Sequence, residues 1–180
     1  HDIFEENGTA YYVMEYAGNG SLADRVKQQG HLSEYIAKRY ILQVADALAY
    51  IHCQKMNHLD VKPANIIVND KDEAVLIDFG MSKQYDAATG NQTSTTPVGI
   101  SECYAPMEQY KQGGVSTFSP QTDIYALGAT MYRTVTGVVP DFIETVTVSL
   151  IKQIYVRSGP TLPIAILVLP VSIVRSICKF

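Results

Sequence analysis

The sequence predicts an α+β chain, mostly helical with a few short strands, and three observations predict it. Ile36, Tyr40, Val44, Leu48 and Ile51 recur at steps of four or three, the stripe of an amphipathic helix with one buried face. Two short apolar runs, Ile66–Val68 and Ala74–Ile77, flank the polar stretch Asn69–Glu73, the pattern of a β-hairpin with a polar turn. From Thr122 to Thr136 the residues are nearly apolar all round and stop at Gly137, which predicts a helix buried on most sides.

The elements follow in order. Residues 9–16 are rich in β-branched and aromatic types and end at Ala17-Gly18-Asn19-Gly20, so a strand runs into a tight connector. Ser21 is placed to cap a short helix through Gln28, closed by Gly30, and Ser33 to cap the long helix. A loop from His58 to Asn65 leads into the hairpin. Residues 81–103 are polar, rich in Ser, Thr and Gly, and without period, so they form a long loop. Thr122 is the expected cap of the apolar helix and Gly137 its terminator. Beyond Pro140 the character changes: residues 143–156 are dominated by Thr, Val and Ile, and Gly159-Pro160 breaks the chain. Pro163–Val174 is apolar but interrupted by Pro170 and Ser172, and too short to span a bilayer as a helix.

Bulk properties narrow the class. The chain has 180 residues, enough for one real core and too few for two ordinary domains. Its net charge of −4 and the lack of any Lys or Arg run argue against nucleic acid or an anionic membrane as the main partner. Cys53, Cys103 and Cys178 are an odd number at irregular spacing, which supports neither a zinc site nor a disulfide framework. A reducing, cytoplasmic setting is the expectation. The first residues have no signal-peptide pattern and no initiator Met, so residues before them are expected to have been lost.

The chemistry gathers around the hairpin. Asp60 lies just before the first strand, Asn65 where that strand begins, and Asp78 at the end of the second. A two-stranded hairpin brings its open ends together, so Asn65 and Asp78 are expected to be neighbours with Asp60 close by. Two oxygen ligands side by side suit Mg²⁺, which takes few protein ligands and completes its shell with water and phosphate oxygens. A further carboxylate can accept a proton from an attacking hydroxyl, and Lys62 can neutralise a transferring phosphoryl group.

With these residues in view, the chain resembles the C-terminal lobe of the eukaryotic-like, bacterial type of serine/threonine protein kinase, over about residues 9–140. His58-Leu59-Asp60-Val61-Lys62-Pro63-Ala64-Asn65 resembles the catalytic loop and Asp78-Phe79-Gly80 the metal-binding triplet. Ala105-Pro106-Met107-Glu108 resembles the end of the activation segment. The resemblance implies a protein kinase-like fold with a mostly helical C-lobe and a remnant of the five-stranded N-lobe sheet. It implies transfer of the γ-phosphoryl of Mg-ATP to Ser or Thr hydroxyls of a protein substrate. In it Asp60 is the catalytic base, Lys62 contacts the γ-phosphate, and Asn65 and Asp78 hold Mg²⁺. Met14 matches the gatekeeper, and Glu15, Tyr16 and Ala17 the hinge whose backbone binds adenine, with Ile67 under the ring. His58 braces the loop, Ser101 hydrogen-bonds the catalytic Asp and Lys, Glu108 pairs with an Arg, and Asp123 opens the central helix and braces the catalytic loop.

Each of these residues also has a plainer reading. Asp60, Asn65 and Asp78 are ordinary turn formers taken singly, and only their joint spacing favours chemistry. Met14 and Tyr16 are as easily core residues as pocket residues. His31 and His52 read as surface or helix-end residues. Cys103 stands where related sequences commonly have Gly, and an inert substitution is the simpler reading. Thr89, Thr93, Ser94, Thr95 and Thr96 are phosphorylation sites or merely the residues of a solvated loop.

Three departures from the pattern shape the expectation. Leu59 replaces the Arg that usually precedes the catalytic Asp and pairs with a phosphorylated activation loop, so phosphorylation is not expected to act as the on-switch. The glycine-rich loop over ATP, its phosphate-binding Lys and the partner Glu are absent from these residues, so the 180-residue polypeptide alone is expected to have little activity. Residues 141–180 do not look like the helices that complete the lobe, and Arg157 and Arg175 are the only candidates to pair with Glu108. The expected division is a partial kinase domain over 1–140 and an atypical, foreign or frame-shifted tail over 141–180. Two rivals remain at this level: a pseudokinase or interaction module, against which the intact Asp60, Lys62, Asn65 and Asp78 speak, and a small-molecule phosphotransferase, which fits Lys62 and Ala105–Glu108 less well.

Overall fold

A computed structural model describes residues 2–13, 16, 18–86, 99–110 and 119–140, except the side chains of Met107 and Glu108. The chain runs β1 (Asp2–Glu6), β2 (Thr9–Val13), α1 (Leu22–Gln29), α2 (Glu34–Cys53), β3 (Met56–Asn57), β4 (Ile66–Val68), β5 (Ala74–Leu76), β6 (Lys83–Gln84) and α3 (Pro120–Thr136). The strands form three separate antiparallel pairs, β1–β2, β3–β6 and β4–β5.

Local chemistry explains the helix ends. Ser21 caps α1 with a reciprocal capping box: its Oγ accepts from the Asp24 N–H, and the Asp24 carboxylate accepts from the Ser21 N–H. Ser33 caps α2 by accepting from the Ile36 N–H. The stripe that predicted α2 is the face it buries: Tyr40, Val44 and Leu48 are buried, with Ile36 and Ile51 packed at the margin. They meet Leu22 and Val26 of α1, Ile66, Val68 and Leu76 of the hairpin, and Ala126 and Leu127 of α3 in one core. At roughly 1.5–3 kcal/mol per fully buried large apolar side chain, this core is the main favourable term holding the helices on the hairpin.

The structure corrects the sequence in three places. The expected cap of the last helix, Thr122, lies one turn inside it; α3 opens after Ser119 with Pro120 in its first turn, and the Thr122 N–H donates to the Ser119 carbonyl. Gly137 does terminate α3, in the left-handed conformation that a side chain would disfavour. Second, the stretch expected to be loop from residue 81 contains β6, which pairs with β3 just before the loop from His58 to Asn65. Third, β1 was not foreseen, although Asn7-Gly8, both at positive φ, is a strong two-residue hairpin signal.

A second set of contacts locks the hairpin turn onto the helices. Tyr40 of α2 donates its hydroxyl to Asp72 Oδ1 and accepts from Arg25 of α1, while Arg39 of α2 pairs with the Asp72 carboxylate. Together with the Gln43 side chain, which accepts from the Ala74 N–H at 2.8 Å, these contacts fix the far end of the β4–β5 hairpin. Its near end carries the candidate chemistry. No described helix is long and apolar enough to cross a membrane.

Candidate active site

The loop between β3 and β4 folds around Asp60, which is 4% exposed. Lys62 Nζ donates to Asp60 Oδ2 at 2.9 Å, and Asn65 Nδ2 donates to the same oxygen at 2.8 Å and to the Asp60 carbonyl at 2.9 Å. The Ser101 hydroxyl donates to Asp60 Oδ1 and accepts from Lys62 Nζ at 3.0 Å. Thus Asp60, Lys62, Asn65 and Ser101 form one hydrogen-bonded unit. A carboxylate held by three donors has a single orientation, which a base acting on a bound hydroxyl requires. Lys62 keeps 27% of its side chain exposed while its ammonium is bonded within the unit.

Beneath it, Asp123 is fully buried at the start of α3 and does three things at once. Its Oδ1 accepts from the Leu59 N–H at 2.7 Å, and its Oδ2 accepts from the His58 N–H at 2.8 Å and contacts His52 Nε2 at 2.8 Å. The partnership with His52 was missed in the sequence. His52 sits in the last turn of α2 as expected, but it is half-buried and faces Asp123 instead of solvent. His58 is fully buried; its Nδ1 accepts from the Asp60 N–H at 3.3 Å and its Nε2 donates to the Ile77 carbonyl at 3.1 Å. Those two bonds specify the neutral Nε2–H tautomer. Burial, opposed by the nearby Asp123, pushes the His58 ring below the ordinary imidazole range, in agreement. Phe79 packs edge-on against the ring, with centroids 4.9 Å apart.

The hairpin brings its open ends together. The Ile77 N–H donates to the Asn65 carbonyl at 2.9 Å, one residue before Asp78. Asp78 is left-handed, and its Oδ1 accepts from the Gly80 N–H at 3.1 Å. A Cβ on residue 80 would lie 3.0 Å from that oxygen, so glycine lets the carboxylate and its backbone donor meet. Leu59 and Cys103 are left-handed too, at φ +66 and +67; non-glycine residues in this region cluster at functional sites. Cys103 therefore occupies a backbone position that suits Gly, and its thiol is half-buried and free.

The donor set suits a hard cation. Asn65 commits its Nδ2 to Asp60, which leaves its side-chain carbonyl oxygen as an acceptor, and Asp78 has a carboxylate. No group of three His, Cys, Asp or Glu side chains that could hold a metal occurs among the described residues. Two oxygen ligands completed by water and phosphate suit Mg²⁺ and would form no such group.

Of the residues expected at the adenine end, Met14, Glu15 and Ala17 lie outside the described residues. Tyr16 is 86% exposed, so its ring lines no closed pocket among the described residues; Ile67 is half-buried on β4 and bridges to Ser21. Glu108 belongs to the 3-10 turn Met107–Tyr110, but its side chain lies outside the described residues, as do Arg157, Arg175, the hydroxyls from Thr89 to Thr96 and the whole of 141–180.

Comparison with known proteins identifies the family. The protein kinase domain matches residues 1–157. A serine/threonine-protein kinase B of Synechocystis sp. is 37% identical over 150 residues, 79% of this chain and 25% of the relative. A probable serine/threonine-protein kinase of Clostridium perfringens is 33% identical over 159 residues, 88% of this chain and 22% of the relative. The serine/threonine-protein kinase PknA of Nostoc sp. is 35% identical over 147 residues, 79% of this chain and 25% of the relative. The chain thus spans about a quarter of the length of these curated relatives. On the strength of that match, the chain belongs to the protein kinase family.

Proposed function

We propose that the chain carries the base and metal ligands of a serine/threonine protein kinase, which transfers the γ-phosphoryl of ATP to a Ser or Thr hydroxyl of a protein. The observation that carries this reading is the Asp60 carboxylate gripped by Lys62, Asn65 and Ser101. The names of the relatives support it. In the reaction the substrate hydroxyl oxygen forms a bond to the γ-phosphorus as the bond to the β-bridging oxygen breaks, and ADP leaves. Asp60 takes the hydroxyl proton. Lys62 sits beside Asp60 and donates toward the oxygens of the group in transfer. Asn65 and Asp78 are the residues that would hold Mg²⁺, which when bound would neutralise charge on the phosphate oxygens. His58 and Asp123 orient the loop without touching substrate.

Buried Leu59 favours a loop set without a phosphorylated partner. An aliphatic side chain 4% exposed offers no cation to a phosphate. Radiolabelled phosphotransfer from γ-labelled ATP to a general protein acceptor tests the reading in the full-length protein. Acid-stable label on Ser and Thr, lost on chelating Mg²⁺, is the expected result. A protein that binds Mg-ATP but labels no protein, or labels only small molecules, would sink it.

A further inference from the structure

The peptide plane between Leu59 and Asp60 is gripped from both edges. On one edge the Asp60 N–H donates to His58 Nδ1 at 3.3 Å; on the other, Gln109 Nε2 donates to the Leu59 carbonyl at 3.3 Å. Gln109 is 7% exposed and lies in the 3-10 turn that follows Ala105-Pro106, fifty residues from Leu59 in sequence. Rotation of that plane changes the ψ of Leu59 and the φ of Asp60, the two torsions that set how the Asp60 side chain is aimed relative to the preceding loop. Because Leu59 is held left-handed, the plane has a strained residue on its N-terminal side and relaxes if its bonds are lost. The Leu59 N–H is anchored separately, to Asp123.

The segment that carries Gln109 touches Asp60 a second time. Ser101 donates to Asp60 Oδ1, and the backbone from Ser101 to Gln109 is linked by Ala105 N–H to the Ser101 carbonyl at 2.9 Å and Gln109 N–H to the Pro106 carbonyl at 2.9 Å. One hydrogen-bonded stretch therefore fixes the base at its carboxylate through Ser101 and at its backbone through Gln109.

We propose that Gln109 is a positioning residue for the phosphoryl-transfer site, holding the Leu59–Asp60 peptide plane so that Asp60 faces the acceptor hydroxyl. This rests on the reading of Asp60 as the base. Gln109 touches neither substrate nor metal; it acts through the backbone. It makes the placement of Asp60 depend on the folding of the 101–110 segment, and it does so with an uncharged donor that needs no phosphate.

The test compares Gln109→Met, Gln109→Glu and Asp60→Asn in the full-length protein. Gln109→Met keeps the side-chain length and removes the donor. It is expected to lower kcat for protein phosphorylation about tenfold, the effect of one lost hydrogen bond expressed in the transition state, and to leave the KM for ATP within about twofold. Gln109→Glu places a carboxyl in a buried site, where only the protonated form donates to the Leu59 carbonyl. Its rate relative to wild type is therefore expected to fall as pH rises from about 5.5 to about 8. A merely structural role predicts a lower melting temperature, unchanged kcat below it, and a flat relative pH profile; that result overturns the proposal. If Gln109→Met fails to melt cooperatively, the Gln109→Glu profile decides alone. Full activity in Asp60→Asn would overturn the base assignment itself, whereas an inactive Asp60→Asn beside a wild-type Gln109→Met would overturn only the role of Gln109.

Discussion

Asp123 Oδ1 accepts the Leu59 N–H at 2.7 Å, so the start of α3 holds the backbone one residue before Asp60. Asp123 is fully buried, and its other oxygen serves His58 and His52. Removal leaves two buried backbone donors and an imidazole without their acceptor. Asp123→Ala is expected to lower unfolding free energy by about 3 kcal/mol or more, read as a drop in the urea midpoint. A midpoint within the error of wild type would show that these bonds contribute nothing net.

His52 gives a second, smaller effect. His52→Ala removes one bond to Asp123 and is expected to cost about 1–2 kcal/mol. In a double-mutant cycle with Asp123→Ala, the two losses are expected to fall short of additive by about 0.5 kcal/mol or more, since the residues are in contact. Strict additivity would mean that the 2.8 Å contact carries no energy.

Most of the scaffold was legible because it rests on short-range rules. Ser21 and Ser33 cap because a hydroxyl beside free N–H groups does so wherever a helix begins, and the Ile36-to-Ile51 stripe faces inward because helical period dictates it. The approach of Asn65 to the residue before Asp78 was legible because a hairpin brings its open ends together. His52 was not. Nothing in the sequence around a helix-end histidine says that an aspartate seventy-one residues later will fold against it. Gln109 was missed for the same reason, since its bond spans fifty residues. The cap of α3 was misplaced because a buried Thr122 and a capping Thr122 look alike in sequence, and Pro120 was the better signal.

His58 makes stability depend on pH. Its folded ring is held below the ordinary range by burial, while in the unfolded chain it protonates below about pH 6.5. Below that pH the unfolded state binds the extra proton, so stability is full above about 6.5 and falls as pH drops toward the lower folded value. The slope from this group is at most about 1.4 kcal/mol per pH unit. His58→Gln is expected to be less stable at neutral pH but to show a shallower decline between about pH 6.5 and 5 in thermal melts. Parallel curves for the two proteins would remove His58 as the source.

Metal dependence should pass through Asp78. In the full-length protein, ATP with Mg²⁺ is expected to raise the melting temperature more than ATP with a chelator, and Asp78→Ala to abolish the difference. Gly80→Ala, which crowds Asp78 Oδ1, should reduce it. An undiminished Mg²⁺ increment in Asp78→Ala would place the cation elsewhere.

The central claim is that Asp60 accepts the proton of the acceptor hydroxyl, and the most direct measurement is steady-state phosphotransfer by Asp60→Asn in the full-length protein. The side chain keeps its size and can still meet the Lys62, Asn65 and Ser101 cluster, but it loses the carboxylate. The prediction is a fall in kcat of about 10²–10⁴-fold, with nucleotide affinity kept within a few-fold. An Asp60→Asn protein that phosphorylates its acceptor at the wild-type rate would contradict it.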